Sequence, residues 1–187
     1  MLWRMLRFLA SQEALELFLA RVSTLICPFC GANGTLVRHG YIRGSVSETE
    51  HGIRAYRIRC NPKSPRGRGC GRAPSVRRAD RLLRRCFSTE QLWKFLRAVA
   101  AGLSVWTAWK RSGINQDVAA AYRLHKRLCL CQSVLRTHLH SRAPPPKRKG
   151  AGSPLHQVVE HLQATFGEES AVSNFQVACQ RDFLAVA

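Results

Sequence analysis

The sequence predicts a mostly α-helical protein with one small β region near its N-terminal third, and three observations predict it. Apolar residues recur at three- and four-residue steps over residues 1–22 and again from Ser88 to His140, the period of a helix with one buried face. Between them, residues 25–76 break into short alternating runs such as Ile53–Arg59 (IRAYRIR), the pattern of half-buried strands. That β stretch also holds four of the chain's eight cysteines. About 50 residues of short strands bury too little apolar surface to hold themselves together, so a staple is expected there.

Charge is the dominant compositional fact. The 187 residues include 30 Lys and Arg against 11 Asp and Glu, a formal net charge of +19, with 45% hydrophobic residues. A core can form, but a surface this basic repels itself unless a polyanion neutralises it. From Arg54 to Lys149 there are 24 basic residues and three acids, Asp80, Glu90 and Asp117; from Gly150 onward one base faces four acids. Nucleic acid is therefore the expected partner of the middle of the chain. Acids this sparse leave little with which to build the clustered carboxylates of a Mg²⁺-dependent nuclease or transposase centre. No apolar run approaches the length of a membrane span, and the N-terminal MLWRMLRFLA is interrupted by Arg4 and Arg7 with no small-residue cleavage site after it. A cytosolic, nucleoid-associated protein without membrane contact is expected.

Residues 1–24 read as an N-terminal amphipathic helix for packing or dimerisation, through Leu2, Leu6, Leu9, Leu15, Phe18, Leu19 and Val22. Residues 25–80 form the β region: Leu36–Arg38 and Tyr41–Arg43 as a hairpin closed near His39–Gly40, then Ile53–Arg59, whose Arg54, Arg57 and Arg59 are expected close together on its polar side. Residues 86–141 form a helical bundle. Ser88 and Gln91 make a capping box for its first helix, Ser104 caps a short second helix ending at Ser112–Gly113, and Asn115 caps a third. The proline-rich basic stretch 142–152 is a linker. A helical tail fills 153–187, opened by Ser153-Pro154.

The staple reads as zinc. Cys27-Pro-Phe-Cys30-Gly31 is a C-x₂-C knuckle, and Cys60 with Cys70 supplies two more thiolates, which completes a tetrahedral four-sulfur set. Nine residues separate Cys60 from Cys70, so the interval must loop out as a mobile basic finger bearing Lys63, Arg66 and Arg68. The plain alternative is four reduced structural cysteines; the knuckle spacing favours metal. His39 and His51 are reserve ligands, and Cys86, Cys129, Cys131 and Cys179 fall in helical patterns without an assigned role.

The segment Ala101–Val118 has the order glycine, capping serine, short helix, turn glycine, capped helix. This is a helix-turn-helix order, whose second helix enters the DNA major groove. Asn115, Gln116 and Arg123 are then expected at base edges, and Lys110, Arg111, Lys126 and Arg127 at phosphates. The plain alternative is a helical bundle with a basic exterior.

Taken together, CPFCG, HGYIRG, YRIRC and GCGR, followed by GLS and SGINQDV, resemble the N-terminal zinc ribbon and helix-turn-helix of bacterial insertion-sequence transposases over roughly residues 25–140. The resemblance implies recognition of an element's terminal repeats, with Cys27, Cys30, Cys60 and Cys70 as ribbon ligands and the helix after Asn115 as the recognition helix. The family's catalytic domain with its acidic triad is absent, and the 35 residues after the linker are too few for it. The expected function is sequence-specific binding of double-stranded DNA by an accessory, regulator or remnant of a mobile element, as a homodimer or beside a separate catalytic subunit. An RNA-binding or non-specific nucleic-acid-binding zinc ribbon is the alternative. No catalytic triad order, phosphate loop or H-E-x-x-H motif occurs, so the chain reads as non-enzymatic.

Overall fold

The computed structural model describes residues 6–44, 53–83, 85–147 and 152–185. These residues form six α-helices and a four-stranded sheet, a mixed α/β chain, and they divide into two compact units, 1–79 and 80–187, rather than five successive segments.

In the first unit the strand order is β1 (Leu6–Leu9), β4 (Ser75–Arg78), β3 (Ile53–Cys60), β2 (Leu36–Arg43). β1 runs parallel to β4, while β3 is antiparallel to both β4 and β2. The single N-terminal helix expected from the sequence is therefore divided. Ser11 is a helix cap, accepting from the Ala14 N–H at 3.2 Å, and α1 (Gln12–Arg21) starts behind it. The apolar period of Leu2, Leu6 and Leu9 joins that of Leu15 only by counting through this cap. Released from the helix, Leu6–Leu9 extends along β4, with Phe8 fully buried; residues 1–5 lie outside the described ones.

The hairpin also differs from expectation. Leu36–Arg43 is one strand whose partner is β3, and His39–Gly40 is a bulge in it rather than a turn, with Gly40 at φ 125°. Leu15, Leu19 and Val22 from α1 and the 3-10 turn after it (Val22–Thr24) pack on Leu36, Ile58 and Val76, beside Cys27 and Cys60. Arg38 crosses from β2 to donate its Nε–H to the Leu19 carbonyl at 3.1 Å, satisfying an orphan acceptor in the last turn of α1.

The second unit contains α2 (Thr89–Ala100), α3 (Val105–Arg111), α4 (Val118–His140), α5 (Pro154–Phe166) and α6 (Ala171–Cys179). The Ser88–Gln91 capping box forms in full, and Ser104 and Ser153 cap α3 and α5. Asp117, not Asn115, caps α4, accepting from the Ala120 N–H at 2.8 Å; a carboxylate two residues on takes the N-cap, leaving Asn115 and Gln116 in the turn. α6 stops at Cys179 with Gln180 in the left-handed region at φ 48°, so the helical tail expected over 153–187 ends before its last residues. Trp109 is the centre of the core, meeting Phe95 and Phe87 edge-on at 5.6 and 5.9 Å, a favourable aromatic geometry.

The C-terminal residues are part of this core, not a tail. Leu155, Val158, Val159, Leu162, Val172, Phe175, Phe183 and Leu184 are buried in the same cluster as Leu92, Leu96 and Trp109. Polar ties close it: Gln176 donates to the Arg81 carbonyl and accepts from the Phe183 N–H, and the Asp182 carboxylate accepts from the N–H groups of Leu83 and Leu184. Arg127 donates to the Leu184 carbonyl at 2.9 Å.

Truncation after residue 147 would expose the partners of eight buried apolar side chains. At roughly 1.5–3 kcal/mol each, that loss is at least comparable to the roughly 5–15 kcal/mol by which whole domains are stable. The truncated chain is expected to lose the cooperative thermal transition of the helical unit; a chain ending at 147 with near-native helicity by circular dichroism would contradict this packing.

Candidate metal centre and basic faces

Cys27 and Cys30 lie on the connection between α1 and β2, Cys60 ends β3, and Cys70 precedes β4. Their four sulfur atoms all lie within 4.8 Å of one another, Cys27 and Cys60 buried, Cys30 and Cys70 at the surface. The Cys27–Cys70 and Cys30–Cys60 sulfur separations are both 3.8 Å. Disulfides are excluded by that distance. A tetrahedron with thiolate bonds of about 2.3 Å to a central zinc has an edge of about 3.8 Å, so the spacing fits a four-coordinate ion. This group of side chains can hold a metal.

The two halves are built alike despite their unequal spacing. After Cys30, Gly31 at φ 72° turns its N–H onto the Cys27 carbonyl at 2.9 Å; after Cys70, Gly71 at φ 75° turns its N–H onto the Cys60 carbonyl at 3.0 Å. The left-handed backbone is why glycine stands at both places. The nine residues between Cys60 and Cys70 thus leave and rejoin a knuckle that closes as the two-residue one does. This loop is tied rather than free. Asn61 accepts from the Lys63 N–H, Gly67 donates to the Ser64 carbonyl, and Arg66 donates to the Ser23 carbonyl at 3.4 Å. The free basic finger expected from the sequence is corrected accordingly.

A hydroxyl and a backbone amide approach the Cys60 sulfur. Buried Thr35 places its Oγ1 3.1 Å from the Cys60 Sγ, and the Cys70 N–H donates to the same sulfur at 3.2 Å. Burial opposes the Cys60 thiolate, but the Thr35 hydroxyl, the Cys70 N–H and the Cys27 and Cys30 thiols outweigh it and bring the thiol down to about 7. Burial instead pushes Cys27 up to about 12. Cys60 therefore ionises before Cys27, and a bound cation would have to drive the Cys27 deprotonation. Arg72, beside the second knuckle, stacks over the Phe29 ring of the first at 5.1 Å. Thr35 carried no sequence signal; Gly69, in the Gly-Cys-Gly triplet, did. His39 is an exposed residue at the β2 bulge and not a member of the cluster; His51 lies outside the described residues.

The basic candidates divide. Arg57 is exposed and Arg59 half-buried on β3, but the strand register skips Arg54, whose side chain occupies the place a Cβ on Gly44 would take. The three arginines therefore do not form one row. Lys63, Arg66 and Arg68 are exposed on the knuckle loop. In the helical unit, Trp109 donates its indole N–H to the Gln116 carbonyl at 3.0 Å and Gln91 its amide to the Gly113 carbonyl at 2.8 Å. Buried Trp109 and half-buried Gln91 thus hold the turn between α3 and α4. Beyond that turn the exposed residues of α4 include Ala119, Tyr122, Arg123 and Lys126, with Lys110 and Arg111 exposed on α3. Arg123 lies 3.6 Å from Asp117, both largely solvated, a weak pair. Lys110 sits over the Trp106 ring at 4.4 Å. Arg127, expected at a phosphate, is instead half-buried and holds the Leu184 carbonyl. Tyr122 and Trp106, which the sequence reading had not selected, are exposed here.

No helix among the described residues is long and apolar enough to cross a membrane. No family model, curated protein or solved structure matches the chain.

A Cβ at position 69 would stand 2.7 Å from the Cys60 Sγ and closer still to the Asn61 carbonyl. Gly69→Ala is therefore expected to lower bound metal well below one equivalent by mass spectrometry of the purified protein, and Cys60→Ser is expected to do the same. Full metal content in Gly69→Ala would show that this close approach is not needed.

Proposed function

We propose that the chain is a zinc-dependent, sequence-specific duplex-DNA-binding protein that acts by binding rather than catalysis. In this reading residues 25–76 are a zinc ribbon. Four thiolates fit zinc better than harder cations, and they close its coordination, leaving no position for a reactive water. α3 and α4 are a helix-turn-helix with α4 as the recognition helix.

The observation that carries the reading is the exposed face of α4 behind a fixed turn, with Ala119, Tyr122, Arg123 and Lys126 directed away from the core. Small, aromatic and basic side chains on the first turns of a helix suit a groove of base edges flanked by phosphates. Base reading falls to Arg123 and Tyr122; Asn115 and Gln116 act from the turn. Lys110, Arg111 and Lys126 contact phosphate, with Arg57, Arg59, Lys63 and Arg68 adding backbone contacts from the ribbon. The motif resemblance to insertion-sequence transposases supports a role as an accessory, regulator or remnant of a mobile element, alone, as a homodimer or with a separate catalytic subunit.

A second reading has its own observation. Trp106 and Tyr122 are 36% and 55% exposed and lie among cations, and exposed aromatics of this kind stack on unpaired bases of RNA or single-stranded DNA.

Binding of a selected duplex, a random duplex and a single strand across salt concentrations separates the two. Arg123→Ala is expected to cost about 1–3 kcal/mol on the selected duplex and little on random duplex. Lys110→Ala is expected to weaken both alike and to flatten the salt slope by about one unit. Tighter single-strand binding at equal salt, lost in Tyr122→Ala, would replace the duplex reading with the stacking one.

A further inference from the structure

Three segments of the first unit meet around an open cavity of about 300 Å³. The 3-10 turn gives Ser23 and Thr24, the connection after the first knuckle gives Asn33 and Gly34, and the loop of the second knuckle gives Arg66. Four of the five lining residues carry polar or charged side chains, and none is acidic. Indeed, from Arg21 to Ala79 the only acidic residues are Glu48 and Glu50, outside the described ones.

Arg66 is held in position here. Its side chain crosses Gly34, where a Cβ would stand 2.9 Å from the Arg66 Cδ, and Gly34 has φ 66°. A side chain at that position would displace the arginine and strain the backbone. The guanidinium makes one long hydrogen bond among the described residues, 3.4 Å to the Ser23 carbonyl, and no ion pair there. It has five donors in a planar fork, so most remain available at the cavity. Thr24 already donates its hydroxyl to the Arg21 carbonyl at 2.8 Å, which leaves the Asn33 amide and Ser23 hydroxyl as the neutral donors of the lining.

We propose that this cavity is a phosphate subsite, with Arg66 binding two phosphate oxygens and Asn33 and Ser23 the others. Bidentate guanidinium–phosphate pairing suits a fork that lies over Gly34 and is tied to the Ser23 carbonyl. The assignment of its occupant as a backbone phosphate of nucleic acid rests on the DNA-binding reading above; the phosphate chemistry does not. The subsite would fix the ribbon at one point of the backbone, which mobile surface lysines do not achieve.

The test uses the full-length, metal-loaded chain in two arms. In the first, inorganic phosphate is titrated at constant ionic strength, with acetate as control, and followed by ¹H–¹⁵N spectra. Saturable shifts are expected at the amides of Ser23, Asn33 and Gly34 and at the Arg66 Nε–H. Arg66→Ala should abolish them, Arg66→Lys weaken them several-fold, and Arg43→Ala, at an exposed arginine on β2 outside the proposed contacts, leave them unchanged. In the second arm, duplex affinity is measured against salt. Arg66→Ala should flatten the slope by about one unit, whereas Asn33→Ala should weaken binding with the slope intact.

Absence of saturation, or equal loss in Arg66→Ala and Arg43→Ala, overturns the subsite. Saturation by phosphate with an unchanged slope in Arg66→Ala overturns the backbone assignment and identifies a free phosphate as the occupant. Saturation in a chain that binds no nucleic acid supports the subsite and overturns the DNA reading instead. Arg66→Lys keeps the charge on the loop, so its weakened phosphate binding in a folded chain isolates the fork from any folding defect.

Discussion

Four sulfur atoms within 4.8 Å of one another, two of them 0–1% exposed, set the terms for the whole N-terminal unit. Four protonated thiols are poor hydrogen-bond partners, and four thiolates repel; a cation at their centre resolves both, and a structural zinc contributes on the order of 10–16 kcal/mol to folding. The buried apolar cluster beside it comprises Leu15, Leu19, Val22, Leu36, Ile58 and Val76 with Cys27 and Cys60 themselves. A core of that size is marginal alone. The sulfur cluster joins the α1–β2 connection, the end of β3 and the approach to β4, so the strand order depends on it as much as on the apolar packing.

The second unit solves a different problem, that of presenting a basic helix without losing its packing. α4 is 23 residues long and buries Ala121, Leu124, Leu128, Cys131, Leu135 and Leu139 along one side. The turn before it is fixed by Trp109 and Gln91, both anchored in elements that precede it. Because the turn's carbonyls are held from beneath, Arg123 and Lys126 can repel each other and still project from a defined place. Cations are thereby concentrated on the exposed side, while the four acids after Gly150 accompany α5 and α6, whose role is to complete the core.

Features set by local chemistry were legible in the sequence. The Cys27 knuckle, the Ser88–Gln91 box and the Ser104 and Ser153 caps each depend on residues within three or four positions of one another. The readings that changed depended on competition or on distance. Ser11 ended a period that ran through it, and only pairing with β4, some 70 residues later, made Leu6–Leu9 a strand. Asp117 outcompeted Asn115 for the cap by supplying a carboxylate to the helix N-terminus. Residues 153–185 looked detached because a proline-rich stretch precedes them, yet apolar Val158, Leu162, Phe175 and Phe183 had no other surface to bury. Arg127 carries no mark in the sequence that separates it from Lys126; only the position of Leu184 assigns it inward. Thr35 is likewise visible only once Cys60 is beside it.

The central proposal is that a metal at the four sulfurs is needed beside the apolar packing to hold the N-terminal unit together, while the helical unit stands on its own core. Native-state hydrogen exchange of the full chain, before and after chelation, tests it most directly. The account predicts that chelation removes protection from the amides of β2, β3 and β4, including Ile58 and Cys60, and leaves Leu96, Leu124 and Leu128 protected as before. Unchanged protection of β3 in the metal-free chain, or loss of protection in both units together, would contradict it.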